Sequence, residues 1–221
     1  MSNSEQPCYT NRILIFGGSG GLGTIVAADL SKDYQVRSLD SSKCNLLKSE
    51  RICEVIDDYK PDTILSFVGV NNNAPLHKLD ITKASVEIDT MIEGHVAILR
   101  YCLPMMREAG YGRVIFASSV LARKIVFGTG TYAMIKCAIE RLVIQAAYEN
   151  GGKGITVNAL RLGYFNAGII NEVPDKMLDD ILSEVPSKHL GDPKEIPAMI
   201  RSVLSSSYIN GSIIDMDGGI K

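Results

Sequence analysis

The chain has 221 residues, 46% of them hydrophobic and 22% charged, and a formal net charge of −2 from 23 basic and 25 acidic side chains. That balance suits a folded domain with a sizeable core and excludes a disordered chain; the two signs are scattered, with no basic stripe for nucleic acid or an anionic membrane surface. No apolar segment approaches the roughly 20 residues of a membrane span, and the polar start of the chain lacks the regions of a signal peptide, so a cytoplasmic protein is expected.

Arg12 to Phe16 is a short apolar run that leads into glycines, and Leu22 to Leu30 then reads at helical spacing. Strand, tight loop and helix in that order make a nucleotide-binding opening. Gln35 to Asp40 reads as a second strand, about Lys48 to Tyr59 as a helix ended by Pro61, and Asp62 to Gly69 as a third strand. A long helix near Ser85 to Glu108, a strand Arg113 to Ser118, a helix Tyr132 to Glu149 and a strand Ile155 to Leu160 follow. A mobile-looking stretch runs to about Ser187, then a helix Pro193 to Leu204 and a last strand Ser212 to Met216, closed by Asp217-Gly218-Gly219. The alternation predicts an α/β, doubly wound parallel sheet in a single domain over residues 1–221, with no repeat and no linker. Between Asp40 and Ile64 there is room for only one full helix, which predicts a shortened sheet edge after the second strand.

The cysteines Cys8, Cys44, Cys53, Cys102 and Cys137 are odd in number and never spaced CxxC, and His77, His95 and His189 are scattered. Reduced thiols and no structural metal are expected.

Chemistry concentrates in a few places. Gly17, Gly21 and Gly23 lie where a strand turns into a helix, so that backbone amides approach a pyrophosphate without side chains between them. Asp40, at the end of the second strand, can accept hydrogen bonds from both hydroxyls of an adenosine ribose and repel a 2′-phosphate, which favours NAD(H) over NADP(H); Arg37 and Lys43 nearby leave NADP(H) open. Tyr132 and Lys136 sit four apart on one helix and share a face, thirteen residues after Ser119. In this order and at these distances the pieces resemble the short-chain dehydrogenase/reductase family, and the likeness covers almost the whole chain, weakest from residue 41 to 91.

The resemblance implies a Rossmann-type fold and an oxidoreductase that moves a hydride between a nicotinamide cofactor and the carbonyl or alcohol carbon of a small-molecule substrate. It assigns Tyr132 as general acid/base, its pKa lowered by Lys136, which also holds the nicotinamide ribose; Ser119 polarises the substrate oxygen. The expected cofactor-binding residues are Gly17, Ser19, Gly21, Leu22, Gly23, Asp40, Asn45, Leu46, Gly69, Tyr132, Lys136, Gly163 and Asn166. A homodimer or homotetramer is implied, its faces formed by the central helix and Tyr132 to Glu149.

Several positions depart from the family. Phe16 replaces the usual threonine, Asn45 the adenine-side aspartate, and Ser66-Phe67-Val68-Gly69 the asparagine-asparagine-alanine-glycine run. Leu162-Gly163 replaces proline-glycine, and Asn166 a threonine. The asparagine of the long central helix falls on Met91, which cannot donate or hold a water; His95, one turn on, is the candidate to compensate. From Gly168 to Gly191 the chain is similar to the substrate loop of 3-oxoacyl-carrier-protein reductases (Asn171-Glu172-Val173-Pro174-Asp175, then Leu190-Gly191-Asp192-Pro193), which points to a small or acyl-type ketone. A looser likeness over Asp40 to Gly69 points to nucleotide-linked sugars. The rival reading is a cofactor-binding protein with impaired turnover that serves as a sensor or assembly partner.

Overall fold

In the computed structural model the described residues are 11–168, 170, 173 and 175–220. Cys8, Asn171, Glu172 and Pro174 lie outside them.

Six strands form one parallel sheet: β1 (Arg12–Phe16), β2 (Gln35–Leu39), β3 (Thr63–Ser66), β4 (Gly112–Ser119), β5 (Ile155–Leu162) and β6 (Ile213–Met216). Their order is β2-β1-β3-β4-β5-β6. The helices are α1 (Gly21–Leu30), α2 (Ser49–Tyr59), α3 (Ile81–Ile88), α4 (Gly94–Ala109), α5 (Gly130–Asn150), α6 (Asp175–Glu184) and α7 (Glu195–Ser205). Parallel strands buried on both faces read as continuous apolar runs, and β1, β3 and β4 do so.

Side chains alternate across the sheet with period two. Leu14 and Phe16 point to one face and join Ile64, Val114 and Phe116 under α2 (Ile52, Ile56), α4 (Ile98, Cys102) and α5 (Ile135, Ile139, Val143). Ile13 and Ile15 point to the other and join Leu65 and Ile115 under α1 (Val26, Leu30) and α7 (Ile196, Ile200, Val203). The chain winds outward from β1 to β2 in one direction and from β3 to β6 in the other. The crevice beyond the ends of β1 and β3 is therefore the topological switch point, where open α/β sheets bind ligands.

The shortened edge is present: β2 is the outermost strand, and a single helix, α2, connects it to β3. Elsewhere the boundaries move. The long helix starts at Ile81 rather than near Ser85, because the Asp80 carboxylate accepts from the Thr82 and Lys83 amides and caps it. It is also interrupted by a π-helical turn, Asp89–Glu93, between α3 and α4. The stretch expected to be mobile contains α6, a helix of ten residues.

Candidate active site

The glycine loop leaves β1 with Gly17 at φ +74°, a backbone conformation that L side chains rarely adopt. A Cβ on Gly17 would lie 2.7 Å from the Val68 amide nitrogen, and one on Gly23 would overlap the Gly17 carbonyl oxygen. The loop then opens α1 at Gly20, which is extended and provides no side-chain cap. The first-turn amides of α1 thus face outward at the positive end of the helix, with Ser19, Gly20 and Gly21 exposed around them. Leu22 packs into the second core layer. This is a cradle that side chains would fill, and it fits the pyrophosphate of a dinucleotide.

On the adenosine side, Asp40 accepts through one carboxylate oxygen from the Ser42 amide (2.9 Å), the Ser42 hydroxyl (2.5 Å) and the Lys43 amide (3.0 Å). The Ser42 hydroxyl, then the Lys43 amide, hold its pKa below the usual carboxylate value. The second oxygen is 3.9 Å from Lys43 Nζ. One oxygen therefore caps a turn, leaving one for a ribose hydroxyl, with an ammonium beside it. Asn45 is likewise committed, its side-chain oxygen accepting from the Leu47 amide at 3.0 Å. The Leu46 side chain is buried against Gly94, where a Cβ would meet Leu46 Cβ at 2.7 Å, so it contributes core packing.

At the other end of the crevice, β4 delivers Ser119 and the first turns of α5 deliver Tyr132 and Lys136. The Ser119 oxygen accepts from the Leu121 amide (3.2 Å), which leaves its O–H to point elsewhere, and its hydroxyl is within hydrogen-bonding reach of Tyr132. Lys136 is buried; its Nζ donates to the Ala117 carbonyl (2.8 Å) and lies 5.4 Å from the Tyr132 ring centroid. Burial, partly offset by Glu140, brings Lys136 down to about 8. A Cβ on Gly69 would have the Tyr132 hydroxyl as its nearest neighbour at 4.0 Å, so this side of the phenol is open. Gly163 packs on Asp217 (2.6 Å from a Cβ to Asp217 Cα), and the Asn166 amide donates to the Gly191 carbonyl at 3.0 Å.

Tyr132 corrects one expectation. Its pKa is not lowered here but pushed up to about 12, first by burial and then by the Glu87 charge, against a lowering from Ser119. The Lys136 ammonium is turned to the Ala117 carbonyl, while burial and then the Glu87 charge disfavour the phenolate.

Behind the tyrosine and lysine lies a buried polar group that sequence reasoning placed only in part. His95 is fully buried; its Nδ1 contacts the Met91 carbonyl and its Nε2 the Ser66 hydroxyl at 2.9 Å. A carbonyl only accepts, so Nδ1 carries the proton and Nε2 accepts from Ser66. Burial, then the nearby Lys136, drive His95 down to about 3, which keeps it neutral. Met91 has a polar contact after all, since its sulfur accepts from the Val70 amide at 3.4 Å. Glu87, one turn before Met91, is fully buried, and neither carboxylate oxygen has a hydrogen-bond partner of good geometry. Its signal in the sequence is a charge at a position of the apolar face that Ala84 and Met91 share.

Among the described residues no group of three or more His, Cys, Asp or Glu side chains is placed to hold a metal, and no helix is long and apolar enough to cross a membrane.

A parallel sheet with a glycine-rich turn at its switch point defines a dinucleotide-binding protein, and the Ser119, Tyr132 and Lys136 cluster lies beside it. A family model described as enoyl-(acyl carrier protein) reductase matches residues 26–221. The acetoacetyl-CoA reductase of Shinella zoogloeoides is 29% identical over 93% of this chain and 96% of its own. That of Rhizobium meliloti (strain 1021) is 30% identical over 76% of this chain and 71% of its own. A solved small-chain dehydrogenase in complex with NADPH superimposes with a TM-score of 0.86 at 22% identity, covering 95% of this chain and 98% of the other. The chain belongs to the short-chain dehydrogenase/reductase family of NAD(P)-dependent oxidoreductases.

Proposed function

We propose that the protein reduces a small or acyl-type ketone, with Tyr132 as the proton donor and NAD(H) as the preferred cofactor. The observation that carries this reading is the convergence of Ser119, Tyr132 and buried Lys136 at the open side of Gly69. Bound along the crevice, a reduced nicotinamide nucleotide supplies the hydride for the carbonyl carbon. The first-turn amides of α1 hold its pyrophosphate, and the free oxygen of Asp40 takes a ribose hydroxyl. The Ser119 hydroxyl donates to the substrate oxygen and orients it. Tyr132 gives that oxygen its phenolic proton, and the Lys136 ammonium steadies the phenolate left behind.

The acyl character rests on relatives that are 3-oxoacyl thioester reductases. The NAD(H) preference rests on Asp40 alone, with Lys43 beside it. A homodimer is the assembly we favour: Ile92, Val96, Ala138 and Leu142 leave an apolar groove between α4 and α5.

The test is a fluorescence titration with NADH and NADPH, followed by a carbonyl panel that includes 3-oxoacyl thioesters. Tighter NADH binding and a loss of roughly 100- to 10,000-fold in turnover in Tyr132→Phe, with cofactor affinity kept, are expected. Tighter NADPH binding would overturn the Asp40 argument and assign the Ser42–Lys43 turn to a 2′-phosphate. Cofactor binding with no turnover on any carbonyl would favour a ligand-sensing role.

A further inference from the structure

The turn that follows Ser119 is held from one side by an arginine that the reaction above does not use. A short helical turn, Val120–Ala122, presents the Leu121 amide to the Ser119 hydroxyl oxygen at 3.2 Å and ends at Arg123, whose amide donates to the Val120 carbonyl at 3.0 Å. The Arg123 guanidinium reaches from there to β6 and the residues after it. Its Nη1 donates to Asp215 at 3.1 Å, and its Nη2 donates to Asp217 at 2.9 Å and to the Ile220 carbonyl. Asp215 is exposed and shared with Arg161. The Asp217 side chain is only 7% exposed, and among the described residues Arg123 is its one cation. A covered carboxylate is costly without its cation, and a guanidinium fork serves two acceptors in fixed directions where an ammonium cannot. Asp217 in turn meets the reacting end. A Cβ on Gly163 would lie 2.6 Å from Asp217 Cα, and the Gly163 amide donates to the Met216 carbonyl at 2.9 Å. The other Asp217 oxygen accepts from the Gly219 amide at 3.0 Å, and Ile220 is buried in one cluster with Val120 and Val185.

We propose that Arg123 is a positioning residue that acts through Ser119: its ion pair with Asp217 sets the distance between the hydroxyl that holds the substrate oxygen and the Gly163 turn on the nicotinamide side. The inference deepens the reductase reading and rests on it. Reduction needs the carbonyl carbon in contact with the hydride donor while Ser119 holds the oxygen, and the two holders stand at the ends of β4 and β5. Within the sheet these strands are in register as far as Ser119 beside Leu162. Past that pair both chains leave the sheet, and its ladder no longer fixes their separation. The bridge then runs from the Ser119 turn through Arg123 to Asp217 and on to Gly163. Asp217 and Gly163 meet backbone to backbone, which leaves the ion pair as the one side-chain link in that bridge. A misplacement of about 1 Å at a reacting group is enough to cost on the order of 100-fold in rate.

The first measurement needs no substrate: amide hydrogen exchange by NMR on the full chain, in wild type, Arg123→Met and Asp217→Asn, each change being read at the far end of the bridge. Arg123→Met is expected to speed exchange of the Gly163 amide about tenfold, and Asp217→Asn that of the Leu121 and Lys124 amides, while Leu14 to Phe16 of β1 keep their protection. No change at the far end in both variants overturns the proposal. Equal acceleration throughout β1 overturns it too, since that marks a loss of overall stability in place of a local tie. The second measurement is steady-state reduction of a 3-oxoacyl thioester with whichever reduced cofactor binds tighter. In each variant kcat is expected to fall about 10- to 100-fold with the KM for cofactor within about twofold of wild type. The double variant should fall no further than the slower single one, because both changes break the same bridge. Losses that multiply in the double variant, or a raised KM with kcat kept, overturn the proposal. Failure of wild type to turn over any carbonyl would overturn the reductase reading, while amide exchange still decides whether Arg123 and Asp217 tie the two turns.

Discussion

His95 is a base that burial keeps neutral, and that has a cost as acid is added. Its pKa falls from the usual 6.5 to about 3 in the fold. Between those values the unfolded chain takes up a proton that the native chain does not. Stability from this site is therefore complete above about pH 6.5 and drains away as the pH falls toward 3. We expect a loss on the order of a few kcal/mol over that window, read as a falling urea midpoint, and a flatter profile in His95→Gln. The residue scale also shows what was legible. Ser119, Tyr132 and Lys136 are separated by short distances along one strand and one helix, so their meeting could be read from spacing. Met91, Ser66 and His95 lie on different elements, and their contacts follow from how α4 seats on β3. The direction of the Tyr132 shift is set first by burial and then by the charge of Glu87 on a third element, and neither is visible in the spacing of the motif.

Among the elements, the turn from β1 into α1 is the most tightly constrained. Gly23→Ala would drive its methyl into the Gly17 carbonyl oxygen. The loop would have to open, and we expect at least a tenfold weaker cofactor affinity by fluorescence titration, with a smaller fall in thermal stability. Another constraint ties α5 to β4 and β5. Arg161 holds the largely buried Glu140 through two bonds of 2.9 and 2.7 Å, and the Ser118 hydroxyl donates to the same carboxylate at 2.6 Å. Arg161→Met would leave that carboxylate without its cation, and chemical denaturation should show a loss of about 3–5 kcal/mol. Since Glu140 is one turn beyond Lys136, the same change should alter the pH dependence of turnover. Strand positions were legible because apolar runs bounded by glycine and proline have few alternatives. The π turn was not, since one extra residue per turn leaves composition unchanged while rotating the faces of α3 and α4 relative to each other. The early start of α3 depended on Asp80 serving as a cap, and α6 on polar residues that also read as loop.

At the scale of the whole molecule, the doubly wound sheet brings the ends of β1, β3, β4 and β5 to one side, and with them the glycine loop, Gly69, Ser119 and Gly163. The α4 and α5 surface leaves Val96 about half exposed, at 47%, beside Leu142. If this face joins two copies, Val96→Glu should convert the dimer to a monomer in light scattering and leave the strand and helix content unchanged; a wild-type monomer would exclude the assembly. The parallel, doubly wound arrangement followed from the alternation of helices and strands and the right-handedness of their crossovers, while the strand order β2-β1-β3-β4-β5-β6 is set by the tertiary structure. The sequence by itself determined the α/β alternation, the lost unit after β2, the dinucleotide loop and the Ser119, Tyr132 and Lys136 spacing, because each depends on residues near one another in the chain. Only the tertiary structure decided that Asp40 caps a turn with one oxygen, that His95 is a neutral donor to Met91, and that the Glu87 carboxylate is buried. These depend on desolvation and on charges brought together from separate elements, and neither is a property of any local segment.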